Sequence, residues 1–252
     1  MLILAIDTSA GSAAALVETT AGGPFGTAPG GSDPALAPLT VHGRADSRDP
    51  RKHAELLAPL VAGLLEGRTA VDLVAVGTGP APFTGLRAGI VTARAFAHGR
   101  RIPVHGVASL DVLARQALDA RAASGDGEVP EVLTVTDARR REVYWARYRA
   151  AGTDDVERLA GPEVAPPAAV AEQHAQALVG GLLLAGSGTR LYPELLPGTP
   201  DLPETLDPAV LARVVLSRLA RRDRGEDPEL GLEPRYLRRP DVHVPGGAKR
   251  VS

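Results

Sequence analysis

The 252-residue chain contains no cysteine. Disulfides, thiolate metal sites, iron–sulfur clusters and cysteine nucleophiles are therefore excluded, and the absence fits a cytoplasmic location. Lysine is nearly missing too. Lys52 and Lys249 are the only lysines among 28 basic residues, the rest being arginine. That excludes a Walker-type phosphate loop, which needs a lysine on the terminal phosphates, from any segment between them. Strong charge of either sign is lacking: a formal net charge of -2 makes neither nucleic-acid nor membrane binding a global property. No apolar run is long enough to span a bilayer. The opening MLILAID has no basic segment ahead of its short apolar run, so it reads as a first strand and not as a signal peptide. Paired histidines are lacking as well. His42, His53, His98, His105, His174 and His243 include no two separated by three or four residues, so no helical face offers two imidazoles to one ion and no metal site is expected.

What is present is ample apolar material, 44% of residues, in a chain long enough for two domains. The most informative stretch is Gly77 to Gly89, GTGPAPFTGLRAG. An apolar run, Leu73 to Val76, reads as an internal strand, and Leu86, Ile90, Ala93 and Ala97 recur at helical spacing after the loop. Thr84 is placed to cap that helix. The free N–H groups of a helix start beside a tight turn suit an anion, so Gly77, Gly79, Thr84 and Gly85 are candidate phosphate-loop residues. The alternative is a strand-to-helix turn closed by glycine. Arg87 is the only cation close by, and it reads equally as a solvated helix residue.

Along the chain, Leu2 to Ile6, a turn at Asp7 to Ser12, and Ala13 to Glu18 form an opening hairpin, with Thr40 to Arg44 a third strand. Residues 21–38 are too rich in glycine and proline to build a core element and read as a mobile loop. Asp49 and Pro50 start a helix with Leu56, Leu57, Leu60, Val61, Leu64 and Leu65 on one stripe, and Pro59 is expected to kink it. Ser109 starts a helix reaching about Ala123; Asp207 and Pro208 start a last one. The opening pattern then recurs. Val132 to Thr136, Asp137, a polar turn and Val143 to Tyr148 repeat strand, aspartate, turn, strand, and the run Leu182 to Gly188 echoes Leu73 to Gly79. Two landmarks in the same order predict an internal duplication: two α/β halves, 1–108 and 109–225, followed by an irregular basic tail, 226–252.

ILAIDTS at 3–9, HAELLAP at 53–59, the loop at 77–89, DAR at 137–139 with EVYWARY at 142–148, and EPRYLR at 233–238 together resemble the TsaB (YeaZ) family. The likeness runs in order across nearly the whole chain. It implies two duplicated actin-like, ribonuclease-H-like domains, each a mixed sheet flanked by helices. It also implies a non-catalytic subunit in bacterial synthesis of threonylcarbamoyladenosine in tRNA, paired with a TsaD-like transferase and a TsaE-like ATPase and self-dimerising when the partner is absent.

In ATP-using members of that superfamily an aspartate ending the first strand holds hydrated magnesium; here Asp7, Thr8 and Ser9 keep that shape. They read equally as a turn satisfying its own backbone. Relative to the family pattern GPGSFTG, Ala81 and Pro82 replace the central glycine and serine, and the proline removes a donor. The resemblance thus implies a vestigial loop and no cofactor, save a nucleotide at the joint with the partner. It puts the contact on the helices beginning near Pro50 and Thr84, with His53, Glu55, Leu56, Leu60, Phe83, Arg87, Ile90 and Ala93 as candidates. An ATPase or sugar-kinase-like phosphotransferase is the main alternative and a metallopeptidase a lesser one. Arg139, Arg140, Arg141, Arg235, Arg238 and Arg239 could touch tRNA in an auxiliary way.

Overall fold

The computed structural model describes residues 1–19, 38–47, 53–68, 70–124 and 131–238. The expected loop at 21–38, apart from its last residue, and the expected helix start at Asp49 and Pro50 lie outside them. The first sheet contains β1 (Leu2–Asp7), β2 (Ser12–Thr19), β3 (Leu39–Ser47), β4 (Leu73–Gly77) and β5 (Val104–Val107) in the order β3-β2-β1-β4-β5. β1 is antiparallel to β2 and parallel to β4. The second sheet contains β6 (Val132–Asp137), β7 (Val143–Ala151), β8 (Asp155–Ala165) and β9 (Leu183–Ala185) in the order β8-β7-β6-β9. Again the first strand is antiparallel to the next and parallel to the later one. The two sheets therefore share four strand positions, with Asp7 and Asp137 ending equivalent strands.

Both sheets are covered on two faces, which is why their central strands are apolar at consecutive positions instead of alternating. In β1 and β4, Leu4, Ile6, Val74 and Val76 pack beneath α1 (His53–Leu64) and α2 (Phe83–Arg100), joined by Leu57, Val61, Leu86, Ile90, Ala93 and Ala97. Ile3, Ala5, Leu73 and Ala75 point the other way, onto Leu211, Val214, Val215 and Leu219 of α6 (Pro208–Asp223). In the second sheet α3 (Ser109–Ala123) packs through Leu110, Ala114 and Leu118 on Val132, Tyr144, Ala146 and Tyr148. The opposite face, with Leu133, Val135, Val143 and Trp145, takes Val170 of α4 (Pro167–Val179). A short helix, α5 (Ser187–Leu191), follows β9.

The packing crosses the sequence order. Asp207 caps α6 as expected, its carboxylate accepting from the Ala209 N–H at 2.9 Å, with Pro208 at the first helical position. Yet this helix, which falls within 109–225, covers the first sheet, while α3 covers the second. α3 and α6 thus meet at the junction of the two halves. Residues 226–238 run back as an extended strap: the Gly106 N–H donates to Leu230 O, and the Arg235 N–H to Thr78 O. α1 continues through Pro59. Among the described residues no helix is long and apolar enough to cross a membrane.

Candidate functional site

The aspartate that ends β1 is turned inward. Asp7 is 3% exposed. Its Oδ1 accepts from the Ser9 N–H at 2.7 Å and from Ser9 Oγ at 2.5 Å, and its Oδ2 accepts from Ser109 Oγ at 2.6 Å. Ser109 Oγ in turn accepts from the Gly79 N–H at 3.1 Å, and the Ser109 N–H donates to Gly79 O at 2.7 Å. Asp7 therefore ties the end of β1 to the β4–α2 loop and to the start of α3. Burial pushes its carboxyl up from the ordinary carboxylate range, and the bonds from Ser109 and Ser9 only partly offset this.

The glycines of the loop serve the same closure. A Cβ on Gly77 would collide with the Asp7 carboxylate, and one on Gly89 with the Thr8 side chain, whose hydroxyl donates to Gly85 O at 2.8 Å. Gly79 has φ 84°, a left-handed conformation that favours glycine. Gly77, Gly79 and Gly85 are all buried. These glycines allow backbone and side chain to approach each other. Thr84 does not cap α2: the N-cap position is held by Pro82, with no side-chain bond, and Thr84 is exposed within the first turn.

The expected loop residues divide between two cavities. A cleft of about 500 Å³ between the halves is lined by Thr8, Ser9, Thr84 and Gly85 from one side and by Asp137, Arg139, Ser187 and Arg190 from the other. Asp7 instead lines a smaller cavity of about 260 Å³ with Arg44, Gln116 and Asp207. There Arg44 Nη2 meets Asp207 Oδ2 at 2.7 Å. The two cavities adjoin, sharing Ala10, Gly11 and Thr205 among their lining residues. Arg87 does not reach into the cleft. Its guanidinium lies 3.8 Å from the Phe83 ring centre, and its Nε donates to Tyr236 Oη at 2.7 Å. The Phe83 and Tyr236 rings are 4.8 Å apart, so the strap is pinned to the first turn of α2 by an aromatic and cationic cluster.

Comparison with known proteins places this geometry. A family described as TsaD: tRNA N6-adenosine threonylcarbamoyltransferase matches residues 47–187. An uncharacterised protein of Mycobacterium tuberculosis is 40% identical over 210 residues, 81% of this chain and 83% of that protein. TsaB of Escherichia coli, a tRNA threonylcarbamoyladenosine biosynthesis protein, is 31% identical over 155 residues, 58% of this chain and 62% of that protein. YeaZ from Pseudomonas aeruginosa superposes with a TM-score of 0.61 at 27% identity, covering 91% of this chain and 97% of that one. The chain belongs to the TsaB (YeaZ) family.

For this TsaB-family chain the eight residues expected at a partner contact fall into distinct environments. Ile90 (4% exposed) and Ala93 (fully buried) belong to the core under α2, so that part of the expectation is corrected: both face β4, not a partner. The helical stripe that suggested them is the core stripe of the same amphipathic helix. Glu55 and Arg87 are exposed, and Leu56, Leu60 and Phe83 half-buried; the side chain of His53 lies outside the described residues. The apolar residue that α2 does present is Val91, 62% exposed, which the sequence reading passed over because it lies off the stripe.

The sequence reading also missed the most heavily charged part of the interior. Arg218 of α6 donates to Asp111 Oδ2 of α3 at 2.8 Å and to Asp155 Oδ1 of β8 at 3.0 Å, with all three side chains at least nine-tenths buried. Arg158 Nη2 reaches Asp111 at 2.8 Å and Glu229 of the strap at 3.1 Å. Tyr148 Oη donates to Asp111 at 2.9 Å, and Arg221 Nη1 meets Asp155 at 2.8 Å. Burial alone would push the Asp111 carboxyl up, but the guanidinium groups of Arg218 and Arg158 outweigh it and hold the carboxyl below its usual range. One signal was available. Arg218 sits between Val214, Val215 and Leu219 on an apolar stripe, where a charge needs a buried partner.

Proposed function

We propose that this chain is a non-catalytic subunit of the assembly that makes threonylcarbamoyladenosine in tRNA, pairing with and activating a TsaD-like transferase together with a TsaE-like ATPase. The observation that carries the reading is the closed state of Asp7. The carboxylate that an ATP-using relative would need at the end of its first strand is instead engaged by Ser9 and Ser109, with Gly77 packed against it. Arg87, the cation nearest the loop, is committed to Phe83 and Tyr236. Arg139 and Arg190 face the loop only from across the cleft, each beside a carboxylate of its own half, and the helix N-terminus by itself contributes only about 0.3–1 kcal/mol toward an exposed anion. In this reading any nucleotide binds at the joint with the partner, and the chain works in the cytoplasm.

The partner surface is the outer side of α1 and α2, with Glu55, Leu56, Leu60, Phe83, Arg87 and Val91 as its contacts. The exposure of Val91 and the partial exposure of Leu56, Leu60 and Phe83 support it. The same surface pairs two copies when the transferase is absent. The test is to purify the chain alone and with its transferase-type partner, determine the size of each species, and assay threonylcarbamoylation of tRNA with the chain present or omitted. A chain that stays monomeric and never associates, or tight magnesium-ATP binding with turnover by the isolated chain, would overturn the proposal.

A further inference from the structure

The two hairpin turns at equivalent places in the fold are built from opposite chemistry. Between β1 and β2 the turn is Thr8, Ser9, Ala10 and Gly11, and its positive φ, 143°, falls on the glycine. Between β6 and β7 the positive φ values are 63°, 53° and 61°, at Arg139, Arg140 and Arg141. Three consecutive L residues in the left-handed region are strained, and glycine or asparagine would fit with less strain. All three arginines are exposed, so no core packing requires their side chains. A local rule broken without a packing return points to a function for the side chains.

The surroundings indicate which function. The turn stands at the mouth of the cleft between the halves, where Arg139 and Arg190 are both lining residues. The strap adds Arg238, whose Nη2 donates to Arg139 O at 3.4 Å and which pairs with Glu142. Arg139 lies 3.2 Å from Asp137, and Arg190 lies 2.8 Å from Glu204. Arg139, Arg190 and Arg238 lie beside Asp137, Glu204 and Glu142, and Arg140 and Arg141 are exposed on the same turn as Arg139, so arginines gather here on a chain whose formal net charge is -2. Both Arg139 and Arg190 keep more than half their side-chain surface in solvent, so their ion pairs are weak and readily exchanged for phosphate. Planar guanidinium groups match phosphate oxygens in a two-pronged geometry.

We propose that the Arg139–Arg141 turn, together with Arg190 and Arg238, grips the phosphate backbone of the tRNA undergoing modification. The proposal rests on the tRNA-modification reading above. It is a positioning contact: backbone phosphates fix where an RNA lies and carry no sequence information.

The test compares the full-length chain with a variant in which Arg139→Gly, Arg140→Gly and Arg141→Gly are combined, using a labelled unmodified tRNA transcript and fluorescence anisotropy across a salt series. Glycine suits the turn, so the variant should melt at or above the wild-type temperature. Its affinity for the transcript at low salt should fall about tenfold or more, and the slope of log affinity against log salt should flatten by about two. Equal affinities and equal slopes would overturn the proposal, as would a wild-type chain that does not bind the transcript at low salt. Co-elution with the transferase-type subunit is followed in parallel. Intact pairing with lost RNA affinity supports the contact, whereas failed pairing by both proteins counts against the complex and leaves the anisotropy result to decide the contact.

Discussion

Replacing Arg218 with methionine tests whether the buried charge cluster holds the halves together. Methionine keeps much of the arginine stem's packing and removes the cation, leaving Asp111 and Asp155, each 1% exposed, without their shared partner. Removing one member of a buried ion pair costs about 3–5 kcal/mol, because the remaining charge is left in a medium that solvates it poorly. Here the lower end applies, since Arg158 still reaches Asp111 and Arg221 still reaches Asp155. A loss of about 3 kcal/mol is a large part of the 5–15 kcal/mol that stabilises an ordinary domain. Urea unfolding of the two proteins at neutral pH gives the difference directly. The pH dependence supplies a second, independent sign. In the wild type Asp111 is held below its ordinary range, so its contribution is present above the unfolded value, near 3.9, and is lost as pH falls through the folded one. In the variant Asp111 keeps its burial but loses Arg218, the larger of the two cations that hold its carboxyl down, so it should take up a proton more readily and acidification toward pH 5 should narrow the gap between the proteins. A loss under about 1 kcal/mol, or a gap that widens toward pH 5, would refute the account.

Asp7→Asn should leave stability at neutral pH unchanged or slightly raised. The raised carboxyl means that the charged form opposes folding once pH exceeds the folded value, and the amide removes that charge while still accepting from Ser9. Activity of a reconstituted modification assay should stay within about threefold of wild type, whereas loss of a catalytic group would typically remove 10²-fold or more. Val91→Glu should change the melting temperature little, because surface substitutions usually stay within about 0.5 kcal/mol, but should weaken association with the transferase-type subunit by at least about tenfold in a titration. Gly89→Ala places a methyl group against the Thr8 side chain and should destabilise by about 1–3 kcal/mol in thermal or urea unfolding.

Much of the fold was legible because local signals and packing agree. The hairpins around Asp7 and Asp137 follow from apolar strands broken by an aspartate and a turn, and both strands find the same neighbours in their sheets. α6 begins where Asp207 and Pro208 place it. Its destination was not legible, since an apolar stripe of Leu211, Val214 and Val215 fits either sheet and only the tertiary fold assigns it to the first. β8 carried a weak signal: its burial does not alternate cleanly, its ladder to β7 is irregular at Trp145, Arg147 and Tyr148, and it holds Gly161 and Pro162, which sequence rules count against a strand. The site was least legible where one residue serves two arguments. Ile90 and Ala93 mark an amphipathic helix correctly, and for that very reason point into the core and away from a partner.

On the non-catalytic reading proposed above, the loop at Gly77 to Gly89 is a nucleotide-site pattern kept for its packing. Each of its landmarks has a packing role in this fold. Gly77 makes room for the Asp7 carboxylate, Gly79 supplies the left-handed turn and the N–H that meets Ser109, and Gly89 lets α2 lie against Thr8. Substitution at any of them disturbs the join between β1, α2 and α3 whether or not phosphate ever binds. Retention of the glycines is therefore weak evidence for a phosphate site. The side chains that would distinguish the two uses are Asp7, Ser109 and Arg87, and all three are engaged within the chain itself. Ser109 is the informative one. It lies far from the loop in sequence, and its hydroxyl donates to Asp7 Oδ2. Ser109→Gly should therefore free that oxygen. If the Ser109 bond is what keeps Asp7 from a metal, the variant should bind magnesium-ATP more tightly than the parent chain by calorimetry; no gain in binding would refute that role for Ser109.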